Sequence, residues 1–320
     1  MSLSHRFTIL LLTVAFAGLP TTSGQPADCD PFAINLTVND VGVSLGDSRR
    51  TIGARINFGD RCLRTATGVN ATLFPPFDPT GTVNGLALGL PLTGNARLRG
   101  VGVGLGLFFG NAGDVRGRVD GLLIGGVATV SESPVRGVLL GGLGAGIGAP
   151  ATGVVLGGGS AVTTARGRGL FVAGAVAGSG GPSVGLMAGG LAAGSTDRLR
   201  GGALSLGLVG TGGPLVGLGV GGLGVGSRTS ITGLAVTGGA LGTRHLTGLG
   251  VAGGYAYVGS GTLRGATIAA ITHVNGTQRG LTIGLLNYAR ELHGVQIGLL
   301  NVARNNSFWT TILPGVNVNF

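Results

Sequence analysis

A glycine returns every 16 residues through the middle of the chain. With Gly137 as the marker, matching glycines stand at Gly121, Gly153, Gly169, Gly185, Gly201, Gly217 and Gly233, with no insertion between them. The series then drifts slightly through Gly248, Gly265, Gly280 and Gly294, and Gly85 and Gly100 are irregular early copies. The units cover residues 82–306. A fixed period of this kind means that one small unit is repeated, and that neighbouring units bury each other's apolar faces.

Within a unit the pattern is glycine, two alternating apolar positions, a glycine pair, two more alternating apolar positions, and a polar or glycine turn. One unit carries Leu218, Val220, Leu223 and Val225; another carries Leu122, Ile124, Val127 and Thr129. Alternation is the period of a β-strand. The two halves are out of phase, so a straight strand would send them to opposite faces. The pairs Gly141-Gly142, Gly189-Gly190 and Gly221-Gly222 predict a bend or bulge that resets the parity, because a residue without Cβ tolerates the backbone angles this needs.

A second period overlies the first. Arg136, Arg168 and Arg200 precede alternate markers, while Pro150, Pro182 and Pro214 lie three residues before the markers between them. Two kinds of turn at opposite ends of a sheet would alternate in this way. The expected fold is therefore all-β: tandem 16-residue repeats paired as 32-residue hairpin units that close into a barrel-like sheet. A parallel β-solenoid is the alternative.

Composition supports β structure and removes other classes. Seventy of the 320 residues are glycine, about three times the usual share, and each would cost a helix about 1 kcal/mol relative to alanine. The chain is 43% hydrophobic and 10% charged, the reverse of a disordered composition. No strict G-X-Y register supports collagen. Two glutamates and four histidines in the whole chain leave little for acid–base chemistry, so the chain reads as non-enzymatic. No P-loop, G-x-S-x-G or H-E-x-x-H is present, and G-x-G-x-x-G matches are inevitable in so much glycine. His245, His273 and His293 fall in or near separate turns without metal-ligand spacing, so no metal, cofactor-binding or catalytic residues are expected.

The first 24 residues have a short basic start at His5 and Arg6, an apolar run from Phe7 to Leu19, and small residues before Gln25. The run is too short to span a bilayer and suits a signal peptide. Residues 25–81 form an N-terminal β segment ending in a Pro-rich linker (Pro75, Pro76, Pro79), and residues 82–320 form the repeat domain. Cys29 and Cys62, the only cysteines, lie in the N-terminal segment. Export would carry them to an oxidising compartment, where a disulfide between them is expected.

All 21 basic residues are arginine, against 11 acids, for a formal net charge of +10. Arg97, Arg99, Arg166, Arg198, Arg228, Arg244, Arg290 and Arg304 are expected in turns. Such a rim would suit anionic lipid or a surface polysaccharide. Nucleic acid is not expected, since RG-rich RNA-binding segments lack a β pattern. Self-association is compatible with so apolar a chain.

The last units read RGLTIGLLNYARELHGVQIGLLNVARNNS and end at Phe320. The twin GLTIGLLNYAR and GVQIGLLNVAR resembles the surface-repeat proteins of Gram-negative bacteria, closely over residues 276–320. The preceding 190 residues share the period but carry glycine and alanine where that family has glutamine and asparagine. The resemblance implies export to the outer membrane or cell surface and implies no catalytic residues. The function expected from these observations is a structural or interaction role in the cell envelope, with an outer-membrane β-barrel pore as the alternative.

Overall fold

The computed structural model describes residues 32–60, 62–74, 81–110 and 117–320. The expected signal segment, Cys29 and the prolines at 75, 76 and 79 lie outside them. The fold is a parallel β-solenoid of about 15 turns, about 74% strand, with no α-helix among the described residues.

One coil shows the construction. The strand Val135–Gly141 is followed by a bend at Gly142 and Leu143, the strand Gly144–Ile147, and a turn through Gly148 to Pro150. The next coil repeats this directly above it. Ala151 lies beside Val135, Gly153 beside Gly137 and Gly157 beside Gly141, all parallel. Ser160 likewise lies beside Gly144. The ladder partner of each residue is thus its counterpart one coil away, and a 16-residue period becomes a set of straight columns along the stack.

This corrects the hairpin barrel. Neighbouring strands are parallel and one coil apart, and the sheet does not close. At one end Ala33–Val38 pairs antiparallel with Val41–Gly46. At the other, Ile312–Asn319 pairs antiparallel with Leu286–Ala303. The Arg and Pro alternation that suggested hairpins runs along one side of a parallel stack and needs no hairpin ends. In an in-register stack, the same position recurs about 4.8 Å away. Two guanidinium groups at that spacing repel by about 1 kcal/mol even at the dielectric of water. Arg136, Arg168 and Arg200 stand on every second coil, which doubles their spacing to about 9.6 Å, beyond the Debye length of about 8 Å in physiological salt; Arg97 beside Arg118 and Arg264 one coil from Arg279 are not spaced in this way. Proline is tolerated in the turn because the ladder uses its carbonyl: Val135 N–H donates to Pro150 O, and Leu199 N–H to Pro214 O.

The marker glycines form one column, in register from Gly42 and Gly53 through Gly68, Gly85 and Gly100 to Gly294. The column therefore continues upstream of residue 82. From Gly121 to Gly233 their φ lies between +119° and +145°, the region L side chains rarely adopt. A Cβ at Gly153 would overlap the carbonyl oxygen of Gly137, and the same holds up the stack. This column explains why the period never lapses there: only glycine lets consecutive coils approach at this bend.

The glycine pairs do mark a bend, as expected, but they do not reset the parity. In the regular coils the buried side chains sit two residues before the marker and two, eight and ten after it, so even positions face inward on both sides of the bend. Of the four apolar residues Leu218, Val220, Leu223 and Val225, only Val225 is buried. Leu218 and Val220 are half-buried on the outside and Leu223 is exposed at the bend. The bend removes one even position, that of Leu223, from a core that would otherwise need it.

The core is narrow, and large and small side chains are matched within each coil. Gly167 leaves the space that Phe171 fills; a Cβ there would lie 3.1 Å from the ring. Gly219 does the same for Leu215 and Val225. Ten residues after the marker runs a buried hydroxyl column, including Thr163, Ser179, Ser195, Thr211 and Ser227. It holds the turn that ends the coil: Thr163 Oγ1 donates to Ala149 O at 2.7 Å, Ser195 Oγ to Gly181 O at 2.8 Å and Ser227 Oγ to Gly213 O at 2.9 Å.

Both ends of the core turn polar. In the first coils Arg55 is fully buried and donates to Asp47 Oδ1 at 2.6 Å, to Asp60 Oδ1, to Asn70 Oδ1 at 2.9 Å and to Ser48 O at 3.1 Å. Asp60 Oδ2 also accepts from Asn70, Thr72 and Asn95. In the last coils Asn287 Nδ2 donates to Asn301 Oδ1 at 2.8 Å. Asn301 Nδ2 donates to the carbonyls of Gly298, Leu313 and Gly315, which ties the final antiparallel strand to the stack.

Candidate functional site

Registered columns decide the surface, because a residue type repeated at one position becomes a stripe running the length of the fold. The outward positions one and three residues after the marker are aliphatic or glycine in every coil from Val101 and Val103 to Val295 and Ile297. At the glycine-pair bend, the most exposed column runs from Leu105 through Leu143, Leu191 and Leu223 to Leu299. Every rung is Leu, Val, Ala or Gly. Leu143 is 71% exposed, and Leu191 and Leu223 are each 68% exposed, so these side chains project from the fold. A shallow groove beside this edge is lined by Leu140, Leu156, Val172 and the glycines of the bend. Past the bend, the next outward columns are again mostly Gly, Ala and Val. Two outer faces that meet at a protruding corner are thus apolar as far as Gly242, beyond which the second face carries Tyr257, His273 and Tyr288.

The remaining side carries the charge. Arg136, Arg168 and Arg200 stand just before the marker glycine, at the border of the first apolar face, and Arg166 and Arg198 lie two residues earlier on the same side. All five are exposed. Arg264 and Arg279 extend the border, there on adjacent rungs. Several arginines expected in turns, among them Arg97, Arg99 and Arg290, instead lie within strands. An acidic residue on an intervening rung would neutralise the row. Asp120 occupies such a rung, between Arg99 and Arg136, and its carboxylate stands 2.9 Å from Arg118 on its own strand. Between Arg136, Arg168 and Arg200 the rungs carry Thr152 and Val184, and none of these three arginines forms an ion pair among the described residues.

His273 does not lie in a turn. It sits inside the strand Thr262–Ile283, beside Tyr257 on one rung and Tyr288 on the next. Ring centroids are 5.6 Å and 4.7 Å apart, both edge-on. Burial holds its imidazole below the ordinary range, while burial first and then the Tyr257 phenol push Tyr255 upward. His245 Nδ1 accepts from Thr262 N–H at 3.2 Å, and His293 is exposed in the last long strand. The three histidines are not brought together, and among the described residues no group of His, Cys, Asp and Glu could hold a metal ion.

Cys62 is buried, and no cysteine among the described residues is a free thiol. Its expected partner, Cys29, lies outside them. The expected structural glycines Gly121, Gly137, Gly153, Gly169, Gly185, Gly201, Gly217 and Gly233 all fall in the marker column. The apolar corner, the hydroxyl column, the buried Arg55 cluster and the Tyr–His ladder were not anticipated. The first two leave a signal in the sequence, a fixed residue class at a fixed distance from the marker. Among the described residues no helix is long and apolar enough to cross a membrane. No protein-family model, curated protein or solved structure matches the chain.

Proposed function

We propose that the chain is an exported, non-enzymatic protein of the cell envelope or surface with a structural or interaction role, acting through the sides of its solenoid. The observation that carries this reading is the surface itself. Columns of aliphatic or glycine residues, with no polar rung, run along thirteen registered coils from the Gly100 coil to the Gly294 coil. A soluble protein rarely exposes a contiguous apolar patch above a few hundred Å², and larger ones mark interaction sites. The buried polar groups serve the fold: hydroxyls hold turns, and Arg55 and Asn301 hold the two ends. The open stack of parallel coils also argues against the pore alternative, since a membrane barrel needs its sheet closed.

The partner chemistry that suits this surface is anionic, because the exposed arginines far outnumber nearby acids. The residues before Gln25 would direct export and be removed. The test is to fractionate cells that produce the chain into inner-membrane, outer-membrane and released pools, and to treat intact cells with protease. We expect an envelope pool that intact-cell proteolysis reaches, with a mature N-terminus near Gln25. A chain found only in the cytoplasm with residues 1–24 intact would overturn the proposal.

A further inference from the structure

We propose that the solenoid lies lengthwise on an anionic lipid surface, with the leucine corner and the adjoining apolar face in the acyl boundary and the bordering arginines at headgroup level. This names the partner of the surface described above and rests on the reading of that surface as an interaction site. Three observations point to lipid. The apolar area is convex: two faces meet at a corner whose leucines are 54–72% exposed. A fluid bilayer can cover a convex corner along its whole length, whereas a rigid second copy covers one flat face and leaves the other in water. The corner is also continuous. No polar or charged residue interrupts it from Leu105 to Leu299, a run of roughly 55–60 Å at one coil per 4.8 Å.

The third observation is where the charge sits. Arg136, Arg168 and Arg200 border the apolar face and form no ion pair among the described residues. A long aliphatic stem lets such a side chain lie along apolar surface and carry its guanidinium to the headgroups. Amphipathic elements that lie in the membrane interface have this division, leucine on one side and basic residues on the other. An acidic polysaccharide would engage the arginine row but gives no reason for the leucine corner.

The experiment uses the full-length purified chain and flotation on vesicles of phosphatidylcholine alone or with one-third phosphatidylglycerol, at low and high ionic strength. We expect flotation with the anionic vesicles. Leu143→Ser, Leu191→Ser and Leu223→Ser together should weaken it more than tenfold, since burying a single leucine is worth about that factor. Arg136→Gln, Arg168→Gln and Arg200→Gln together should weaken it about fivefold per residue at low salt, and high salt should erase that difference. The substituted side chains are exposed, so the variants should melt with the parent. If the leucine variant melts lower, Leu285→Ser with Leu299→Ser at the far end of the same corner carries the same test.

No flotation on anionic vesicles overturns the proposal, as does flotation that neither variant weakens. So does a parent that sediments as a dimer which the leucine variant dissociates, since a second copy then covers the corner. Retention on an immobilised acidic polysaccharide, abolished by the arginine changes and indifferent to the leucine changes, without flotation, would assign the surface to that polymer. The vesicle result is independent of where the chain is found in the cell, so it can fail while the envelope reading stands, and the reverse.

Discussion

Replacing one marker glycine tests whether the column, rather than glycine content in general, holds the coils together. Gly185 has φ +133°, and a Cβ built there would overlap the carbonyl oxygen of Gly169 one coil below. Gly185→Ala therefore combines two costs. Holding a non-glycine residue at such an angle costs about 1–3 kcal/mol. Forcing one extra carbon against fixed backbone costs a further 1–3 kcal/mol, the range for overpacking. The expected loss is about 2–6 kcal/mol. A domain near 290 residues has an unfolding entropy of roughly 0.6 kcal/mol/K, so a cooperative melt should fall by about 3–10 °C. Repeat stacks can open locally, so proteolysis between Gly169 and Gly201 should rise as well. Gly146 is the control. It also lies within a strand, with nothing within 4 Å of its built Cβ. Gly146→Ala should be neutral or stabilise by about 0.4–1 kcal/mol through the unfolded state. Melts followed by far-UV circular dichroism read both. If Gly185→Ala melts with or above Gly146→Ala, the close approach at the marker does not limit the fold.

Asp60→Ala removes a buried acceptor from Arg55 and orphans the donors of Asn70, Thr72 and Asn95. It should cost about 3–5 kcal/mol, seen as a lower urea midpoint. Asn301→Leu should cost about 1–3 kcal/mol for the unpaired carbonyls it leaves and release the strand Ile312–Asn319 to hydrogen exchange before the central coils. His273 has a folded pKa below its unfolded value near 6.5. The unfolded state therefore binds more protons as pH falls, and the last coils should lose stability below about pH 6.5. His273→Phe should flatten that dependence, which thermal melts across pH would show. Peptide mapping without reduction should recover Cys29 joined to Cys62; finding both thiols alkylatable would refute the link.

What the sequence made legible is what a column makes repetitive. The glycine period, the β content and the bend at the glycine pairs all follow from residues that recur at one position. The direction of the strands did not follow. Alternate Arg and Pro at successive markers fit a hairpin with two different ends. They fit equally one side of a parallel stack in which Arg136, Arg168 and Arg200 stand two coils apart, and only the register of Gly137 beside Gly153 separates the two. The facing of the apolar residues was misread for a related reason. Leu218 and Val220 are large and alternate, so they look like core. The side chains that are inside, Leu215, Gly219 and Val225 in the same coil, are on average smaller and less regular because each coil balances its own volume. In the Arg55 cluster, Arg55 and Asn70 share the inward column two residues after the marker, but the residue class there changes from coil to coil and Asp47, Asp60 and Asn95 join from outside the strands, so pattern reading has little purchase on it.

Part of the interior carries small side chains where the outside carries larger ones, although the inner column two residues after the marker is Leu139, Val155, Phe171 and Met187 in the same coils. The inner column eight residues after the marker is alanine in four consecutive coils, Ala145, Ala161, Ala177 and Ala193, while the outer column at three is Leu140, Leu156, Val172 and Ala188. A core that narrow buries little area per residue, so stability has to come largely from the continuous backbone ladder and the matched volumes within coils. The aliphatic area that would ordinarily fill a core is spread instead along one flank, bordered by arginine and never by an acidic row. Selection for stability in water alone gives no reason to place leucine at a corner that is two-thirds exposed. A surface that the chain covers, or that covers the chain, does give one. It also explains why the apolar columns keep their residue class over coils whose interiors change from Met187 to Ala203 to Gly219: the inside has to fill a volume coil by coil, whereas the outside has to present one unbroken face.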